Sequence, residues 1–221
     1  MRTLRAKRLF KRIFAVAVKE RSAILDEAAF PAYAHCNPLI DRLFWGRLAQ
    51  AERYLSRQSC GAVLDFGCGS GVMSYIVAGF SERVIATDIE PSTFGYMQSA
   101  VRFPENIAFA SASELTAERY THYFDVIVAL DVLEHVDDLS GTLRGFATLI
   151  KPGGVVVISG PTENKLYQLG RKLAGKRFTG DYHITDIRRI EEECRHHGSV
   201  RNIATLYPIL PLFRLFSLHF A

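Results

Sequence analysis

The stretch from Asp65 to Gly71 constrains the fold of this chain more than any other. It reads Asp-Phe-Gly-Cys-Gly-Ser-Gly, follows the apolar residues 62–64 and precedes the mostly apolar run 72–76. Glycine at every second position allows a tight turn and a close approach to a ligand, because no Cβ blocks the backbone. The Asp65 carboxylate stands just before the turn, where it can accept hydrogen bonds. The stretch therefore predicts a strand, a loop and a helix that bind a small nucleoside-like ligand.

The spacing of the glycines favours one class of nucleoside site over two others. A dinucleotide fingerprint places glycine or alanine three residues after its second glycine, where this chain has Val72. A P-loop needs Gly-Lys-Ser/Thr to hold phosphates and magnesium, and the sequence after the loop lacks it. The segment resembles in full the Asp-x-Gly-x-Gly-x-Gly loop of class I S-adenosylmethionine-dependent methyltransferases.

Three later segments stand where this resemblance places them. Residues 83–88 read as a second strand ending in Asp88, at the distance where doubly wound folds bind ribose hydroxyls. Residues 124–136 are an apolar run that breaks into a polar cluster, similar to the family's fourth strand and its Leu-Glu-His signature. Residues 149–159 resemble the family's Lys-Pro-Gly-Gly turn into a fifth strand. Together the matches cover about residues 60–160.

Predicted strands alternate with predicted helices along the chain. The strands are expected at 62–66, 83–88, 106–110, 124–130 and 154–159, and the helices at 39–55, 71–78, 91–101, 139–150 and 185–197. Such alternation implies an α/β fold with a parallel sheet covered on both faces and ligands at the carboxyl ends of its strands. The apolar C-terminal segment is expected to add an antiparallel strand, with a pocket wall and a membrane contact as alternatives. The predicted class is a Rossmann-like, doubly wound, mostly parallel sheet.

The positions of the motifs predict one domain with extensions. A chain of 221 residues with 48% hydrophobic residues can bury one sizeable core. We expect residues 1–59 to form an N-terminal helical arm and residues 60–160 to form the S-adenosylmethionine-binding core. Residues 161–221 are expected to supply a lid, the last helix and the C-terminal strands of the same domain.

Cysteine usage and an acidic run near the C terminus predict no metal site. The four cysteines show neither paired metal spacing nor the density of a secreted scaffold, which favours a reducing, cytoplasmic compartment. The three glutamates at 191–193 and the histidines at 196–197 do not fit the spacing of a zinc site. We expect them to form a solvated helix end.

The formal net charge of +4 comes from the N-terminal arm, because residues 1–60 carry twelve Lys/Arg against five Asp/Glu. Helical spacing in residues 1–19 groups four apolar residues on one face and turns four basic residues away from it. They are Phe10, Ile13, Phe14 and Ala17, and Arg5, Arg8, Arg12 and Lys19. Such a helix can lie on an anionic membrane, or it can dock on its own domain with its charges solvated. Both alternatives stay open, a transit peptide is weaker, and no nucleic-acid partner is expected.

The resemblance also implies which residues hold S-adenosylmethionine. They are Asp65, Phe66, Gly67, Cys68, Gly69, Gly71, Asp88, Ile89, Ser111, Ala112, Asp131, Val132 and Leu133. Many relatives carry an acid after the third strand that accepts a hydrogen bond from the adenine amino group, whereas Ser111 stands at that place here. Adenine recognition would then rely on Ser111, on the backbone of Ala112 or on Glu114.

The chemistry implied by the resemblance is an in-line displacement at a methyl group that a sulfonium already activates, so the enzyme mainly aligns the reactants. A neutral oxygen or nitrogen acceptor must also lose a proton, and histidine suits that task because its unperturbed pKa lies near working pH. His183, in a Gly-Asp-Tyr-His run similar to that of quinone-type and lipid-type relatives, and His135 are the candidate bases. A structural role is the alternative for each.

The parts of the chain outside the motifs suggest the acceptor. They are basic at the N-terminal end and apolar at the C-terminal end, which favours a small hydrophobic or amphiphilic metabolite as the methyl acceptor. A catalytically silent nucleoside-binding module stays open, because a fold does not determine an activity. A nicotinamide-dependent oxidoreductase is a weaker alternative. The sequence leaves the oligomeric state open.

Overall fold

The computed structural model describes residues 2–19, 33, 37–89, 91–162, 185–206 and 212–221. The helices in these ranges are α1 (Arg2–Lys19), α2 (Pro38–Leu55), α3 (Val72–Val77), α4 (Pro91–Ala100), α5 (Ala117–Tyr120), α6 (Leu139–Leu149) and α7 (Ile187–His197). The strands are β1 (Ala62–Phe66), β2 (Arg83–Thr87), β3 (Ile107–Phe109), β4 (Phe124–Leu130), β5 (Ile150–Pro161), β6 (Gly198–Leu206) and β7 (Phe213–Phe220). Short 3₁₀ turns lie at Ala112–Glu114 and Leu133–His135.

The strands form a seven-stranded sheet in the order β3-β2-β1-β4-β5-β7-β6. The pairs β1–β2, β2–β3 and β4–β5 are parallel, whereas β7 runs antiparallel to both β5 and β6. This topology confirms the predicted doubly wound, mostly parallel sheet with an antiparallel C-terminal strand. By contacts the chain divides into two compact units, Met1–Leu115 and Thr116–Ala221.

In the first unit, helix α1 packs its apolar face on its own unit. Ala6, Phe10, Phe14 and Ala17 are fully buried and Ile13 is half-buried, whereas Arg5, Arg8 and Arg12 are exposed. The Phe10 ring lies 5.6 Å from the Tyr75 ring of α3 and 6.0 Å from the Phe103 ring. The predicted apolar face is therefore confirmed, and it is occupied by the protein itself. The Lys19 side chain lies outside the described residues.

The start of α1 is held by a buried carboxylate of α2. Glu52 accepts hydrogen bonds from the backbone N–H of Arg2 at 2.7 Å, from the Thr3 N–H at 2.9 Å and from the Thr3 hydroxyl at 2.6 Å. These donors belong to the first turn of α1, whose N–H groups have no partner within the helix. Burial acts to raise the pKa of Glu52, but the hydrogen bonds from Thr3 and Arg2 outweigh it and lower the pKa.

Further along α1, two lysines bind one carboxylate of α2. Lys7 and Lys11 both form ion pairs with Asp41. Burial acts to raise the pKa of Asp41, yet the hydrogen bonds and charges of Lys11 and Lys7 bring it below its ordinary value. Two of the basic residues of α1 are therefore used inside the unit.

In the second unit, β5 begins four residues before its predicted start at 154. Phe124 of β4 pairs with Ile150, and after an irregularity Val126 pairs with Val155, so the Lys-Pro-Gly-Gly segment lies inside the strand as a bulge. Gly153 has φ 78° there. Proline and glycine are typical turn residues, so the sequence predicted a turn before the strand. In the structure the pairing with β4 continues on both sides of the bulge.

The prediction of a solvated helix end at 191–193 is wrong for Glu191. Its side chain is 5% exposed, and its carboxylate forms ion pairs of 2.5 Å with both Arg195 and Arg214. Arg195 lies one turn further along α7, whereas Arg214 comes from β7. Burial of this carboxylate thus depends on Arg214, which β7 places beside α7.

Candidate functional site

The glycine loop has the conformation that its sequence demands. Gly67, Gly69 and Gly71 have φ values of 72°, 49° and 72°, a left-handed region that favours glycine. The N–H groups of Gly67 and Cys68 both donate to the carbonyl oxygen of Thr87 at 2.9 Å. The loop that leaves β1 is therefore tied to the end of β2.

Two of these glycines face different surroundings. A Cβ at Gly71 would lie 2.6 Å from the Phe94 ring, so this glycine makes room for the core beneath the loop. A Cβ at Gly69 would meet nothing within 4 Å, so the backbone there borders open space. Gly69 is thus the point of the loop at which a ligand can approach the main chain.

Asp88 connects the loop to the end of β2. Its Oδ2 accepts a hydrogen bond of 2.7 Å from the Gly69 N–H. A carboxylate offers two oxygens and about four lone-pair sites, so one carboxylate can bind a backbone N–H and a ligand hydroxyl together. The next side chain, Ile89, is 92% exposed. An acceptor for hydroxyls and an apolar surface thus stand side by side.

Asp65 is the buried carboxylate of the site. Its side chain is 3% exposed, and the Ser74 hydroxyl of α3 donates a hydrogen bond to its Oδ2. Burial raises the pKa of Asp65 to about 6; the hydrogen bonds from Ser74 oppose this rise and the charge of Asp88 adds to it. Because burial makes the ionised form of this carboxylate unfavourable, a cationic ligand beside it would stabilise it strongly.

The end of β3 carries a small polar cluster. The backbone N–H and the hydroxyl of Ser111 both donate to Glu114 Oε2 at 2.8 Å, and Ser111 Oγ lies 3.0 Å from Ser113 Oγ. Glu114 is therefore folded back onto Ser111 and does not extend away from it. Ala112, Ser113 and Glu114 are exposed.

The predicted residues of the first unit fit a nucleoside cofactor. Phe66 pairs with Thr87 and Ala86 pairs with Phe109, so β1, β2 and β3 end side by side. Their ends carry a buried carboxylate, a second carboxylate and a hydroxyl. The open space at Gly69 lies on the loop that follows Asp65 and to which Asp88 is hydrogen-bonded. A cation, ribose hydroxyls and a base could each find a partner here.

In the second unit, the end of β4 holds Asp131 in a left-handed conformation with φ 55°. Its N–H donates to the Ser159 carbonyl oxygen at 3.0 Å, and its Oδ1 accepts a hydrogen bond of 2.9 Å from the Ser159 hydroxyl. A non-glycine residue in this region costs free energy, and such residues concentrate at functional sites. Ser159 of β5 supplies the bonds that maintain this conformation.

The other predicted residues after β4 differ in accessibility. Val132 is half-buried, Leu133 is fully buried and His135 is exposed. Leu133 could therefore serve a ligand only through its backbone. His183, the other candidate base, lies outside the described residues, as does the predicted lid.

The Cys68 thiol of the loop is an unreactive group. It is buried, and burial together with the charges of Asp65 and Asp88 raises its pKa well above the ordinary value. Thiolate is the nucleophilic form, so this cysteine supplies no nucleophile near neutral pH. Within the described ranges, no three His, Cys, Asp or Glu side chains are grouped to hold a metal ion. None of the described helices is long and apolar enough to cross a membrane.

Sequence reasoning missed the two serines that hold the carboxylates. Ser74 is fully buried against Asp65, and Ser159 is fully buried against Asp131. Each stands alone among apolar residues, in Val-Met-Ser-Tyr-Ile and in Val-Val-Ile-Ser. A single hydroxyl in an otherwise apolar helix or strand is the signal that could have identified them, because a buried polar group needs a partner.

Curated relatives match part of the chain. A ubiquinone biosynthesis O-methyltransferase of Burkholderia ambifaria is 35% identical over 137 residues, which is 60% of this chain and 54% of that protein. One of Xanthomonas oryzae pv. oryzae is 34% identical over 102 residues, 44% of this chain and 41% of that protein. The chain thus spans about half the length of these relatives.

Solved structures share the fold over most of the chain. The PH0226 protein of Pyrococcus horikoshii OT3 has a TM-score of 0.64 at 16% identity, with 86% of this chain and 96% of that chain covered. The N-methyltransferase NodS of Bradyrhizobium japonicum WM9, in complex with S-adenosyl-L-homocysteine, has a TM-score of 0.61 at 15% identity, with 96% and 98% covered.

A family model described as a methyltransferase domain matches residues 17–200, well over half of the chain. The matched range contains the glycine loop and the carboxylates at the ends of β1 and β2. The cofactor of this family is S-adenosylmethionine, in agreement with the fit of the residues described above. The chain belongs to the class I S-adenosylmethionine-dependent methyltransferases.

Proposed function

We propose that this protein transfers a methyl group from S-adenosylmethionine to an oxygen, nitrogen or carbon atom of a small hydrophobic or amphiphilic metabolite. The observation that carries the proposal is the open backbone at Gly69 between the carboxylates of Asp65 and Asp88. The printed names of the curated relatives, O-methyltransferases of ubiquinone biosynthesis, favour oxygen on a quinone precursor as the acceptor atom.

Residues of the first unit hold the cofactor. Asp65, buried and poised toward a cation, binds its ammonium end, and Asp88 accepts the ribose hydroxyls. Gly67, Gly69 and Gly71 let the backbone approach it, with Phe66 and Cys68 between them. Ile89 covers the base, and Ser111 and Ala112 face its edge. When bound, S-adenosylmethionine supplies a methyl group that needs no further activation.

Residues at the end of β4 act at the methyl-donating end of the cofactor. Asp131, Val132 and Leu133 follow the strand in the segment that resembles the family's signature, and the Asp131 conformation is held by Ser159. His135 is exposed and could take a proton from an acceptor hydroxyl. His183 is the second candidate for that proton transfer. Either role requires a pKa near working pH, as histidine ordinarily has.

An anionic membrane is the proposed peripheral contact of residues 1–19. Because the apolar face of α1 is buried, the contact would be electrostatic, through the exposed guanidinium groups of Arg5, Arg8 and Arg12. Each basic residue near an anionic surface contributes about 1 kcal/mol, and salt screens that contribution. Flotation with anionic vesicles should therefore decline with added salt and with a triple Arg→Gln variant. Equal flotation with neutral vesicles would contradict the proposed electrostatic contact.

The experiment that tests the proposed function is an acceptor screen with product mass measured. The purified protein is incubated with S-adenosylmethionine and a small library of phenols, lipids and carboxylic acids. Release of S-adenosyl-L-homocysteine with a product heavier by one methylene group supports the proposal. Binding of the cofactor without release for any acceptor would favour the silent binding module. Saturable binding of NADH, without binding of S-adenosylmethionine, would favour the nicotinamide-dependent oxidoreductase.

A further inference from the structure

Helix α1 is connected to the glycine loop by four aromatic side chains. They are Phe10 of α1, Tyr75 of α3, Phe94 of α4 and Phe103, and all belong to the first unit. We propose that Phe10, acting through Phe103, positions the glycine loop, so that the loop binds S-adenosylmethionine with full affinity only while α1 is docked. The inference rests on the proposed cofactor contacts of this loop and adds two positioning residues to them.

The loop lies against two of the four rings. A Cβ at Gly71 would lie 2.6 Å from Cε2 of Phe94 and 3.0 Å from Cε1 of Phe103, so both rings abut the loop backbone. Cys68, also in the loop, is buried together with Phe94, and Phe103 packs against them. Because protein interiors are close-packed, the positions of these rings limit where the loop can lie.

Phe10 of α1 contacts the ring that reaches the loop. The Phe10 and Phe103 ring centroids lie 6.0 Å apart, and those of Phe103 and Phe94 lie 5.1 Å apart. The Tyr75 ring lies 5.6 Å from Phe10 and 6.2 Å from Phe103, and the Tyr75 N–H donates to the Gly71 carbonyl oxygen at 2.9 Å. Phe10 is fully buried, whereas Phe103 is half-buried. Loss of Phe10 would therefore remove one of the rings that fix the orientation of Phe103.

Helix α1 can be docked or detached while the sheet stays folded. It contributes no strand, and it is held to α2 by the hydrogen bonds of Glu52 and by the ion pairs of Lys7 and Lys11 with Asp41. An element held in this way can open locally at a lower free energy than global unfolding. If docking strengthens cofactor binding by some factor, the cofactor must strengthen docking by the same factor.

A purely structural role for Phe10 makes a different prediction. If the ring only fills the core beneath α1, its removal lowers the free energy of unfolding but leaves the affinity of the folded protein for the cofactor unchanged. If the ring positions the loop, this affinity falls as well, and the fall depends on Phe103. The affinity of the folded protein therefore separates the two roles.

The test is calorimetric titration of the full chain with S-adenosyl-L-homocysteine, at a temperature where circular dichroism shows each variant to be folded. Phe10→Ala and Phe103→Ala should each weaken binding roughly fivefold. The double variant should bind about as weakly as Phe103→Ala alone, because both substitutions interrupt one contact. Phe124→Ala is the matched control, since Phe124 is a fully buried phenylalanine at the start of β4, away from the carboxyl end of that strand. It should keep the wild-type affinity despite its loss of stability.

Hydrogen exchange measures the same coupling in the other direction. Saturating S-adenosyl-L-homocysteine should slow exchange of the α1 amides in the wild type, and should slow it less in Phe103→Ala. Because Phe103 is only half-buried, this variant keeps the inference testable if Phe10→Ala does not fold. A direct contact between α1 and the cofactor would instead give equal slowing in both proteins.

Three results would overturn the inference while leaving the cofactor site in place. They are unchanged affinity in both single variants, equal slowing of exchange in the wild type and Phe103→Ala, and an equal loss of affinity in Phe124→Ala. If the wild type itself did not bind S-adenosyl-L-homocysteine, the proposed cofactor site would be wrong.

Discussion

The Ser74 hydroxyl of α3 donates its proton to Asp65 at the end of β1, and both side chains are buried. The bond spans the glycine loop, so the helix that follows the loop stabilises the carboxylate that precedes it. Burial still raises the pKa of Asp65 to about 6. The free protein therefore carries a costly charge that a cationic ligand would relieve.

Asp65→Asn should stabilise the free protein at neutral pH. Because the folded pKa of about 6 exceeds the ordinary value of 3.8 for an aspartate carboxyl, folding favours the protonated acid. The stability that the protonated acid contributes is fully present below pH 3.8 and is lost as pH rises through 6. The loss amounts to about 3 kcal/mol of unfolding free energy. Thermal unfolding at pH 7.5 should show a higher midpoint for the variant, with the difference vanishing toward pH 4. An unchanged or lower midpoint at pH 7.5 would contradict the burial argument.

Affinity for S-adenosylmethionine should fall as pH drops below about 6. Ionised Asp65 attracts the ammonium end, and protonation removes that attraction, so affinity should decline up to about tenfold per pH unit. Titrations near pH 6 in buffers of different ionisation enthalpy should also show proton release on binding. Affinity that is constant from pH 5 to 7.5 would exclude Asp65 from the contact.

Gly69→Ala and Gly71→Ala should separate binding from folding. At both positions alanine would have to adopt a left-handed backbone conformation, which costs about 1 kcal/mol. At Gly71 its Cβ would also lie 2.6 Å from the Phe94 ring. We expect Gly71→Ala to cost about 2–4 kcal/mol of unfolding free energy. Gly69→Ala should cost about 1 kcal/mol and lose cofactor affinity, because its methyl enters the open space. Denaturant unfolding and calorimetry measure the two effects, and the reverse ranking would be inconsistent with the loop geometry.

Glu52→Ala should loosen α1. Its removal leaves three donors in the first turn of α1 without their acceptor, which should cost about 2 kcal/mol. Hydrogen exchange of residues 2–17 should speed up more than exchange in β1. Gln50→Ala, on the same helix, is the control and should change neither. Equal exchange in Glu52→Ala and wild type would show that the apolar face alone holds the helix.

Asp131→Gly should keep stability and lose activity. Glycine adopts φ 55° without strain, so the unfolding free energy should stay within about 1 kcal/mol despite the lost Ser159 bond. If the carboxylate contacts cofactor or acceptor, methyl transfer in the acceptor screen should fall at least tenfold. Full activity would assign Asp131 a structural role.

Local sequence patterns predicted much of the fold and of the nucleoside-binding loop. Strands β1 and β4 begin and end at the predicted residues, because each is an apolar run bounded by polar or turn residues. The buried face of α1 followed from its 3.6-residue period. Burial of Glu191 could not be predicted, since Arg214 reaches it only through the pairing of β7. For Ser74 and Ser159, the lone hydroxyl in an apolar run signals that a partner is needed, but only tertiary contacts determine that the partners are Asp65 and Asp131.

The most direct measurement of the central claim is calorimetric titration of the purified protein with S-adenosylmethionine, beside Asp88→Ala and with NADH as the competing ligand. If the loop between Asp65 and Asp88 seats the cofactor, the wild type should give saturable heat for S-adenosylmethionine, Asp88→Ala should bind it at least tenfold more weakly, and NADH should give none. Absence of saturable heat with S-adenosylmethionine, or equal affinity in Asp88→Ala, would contradict that assignment.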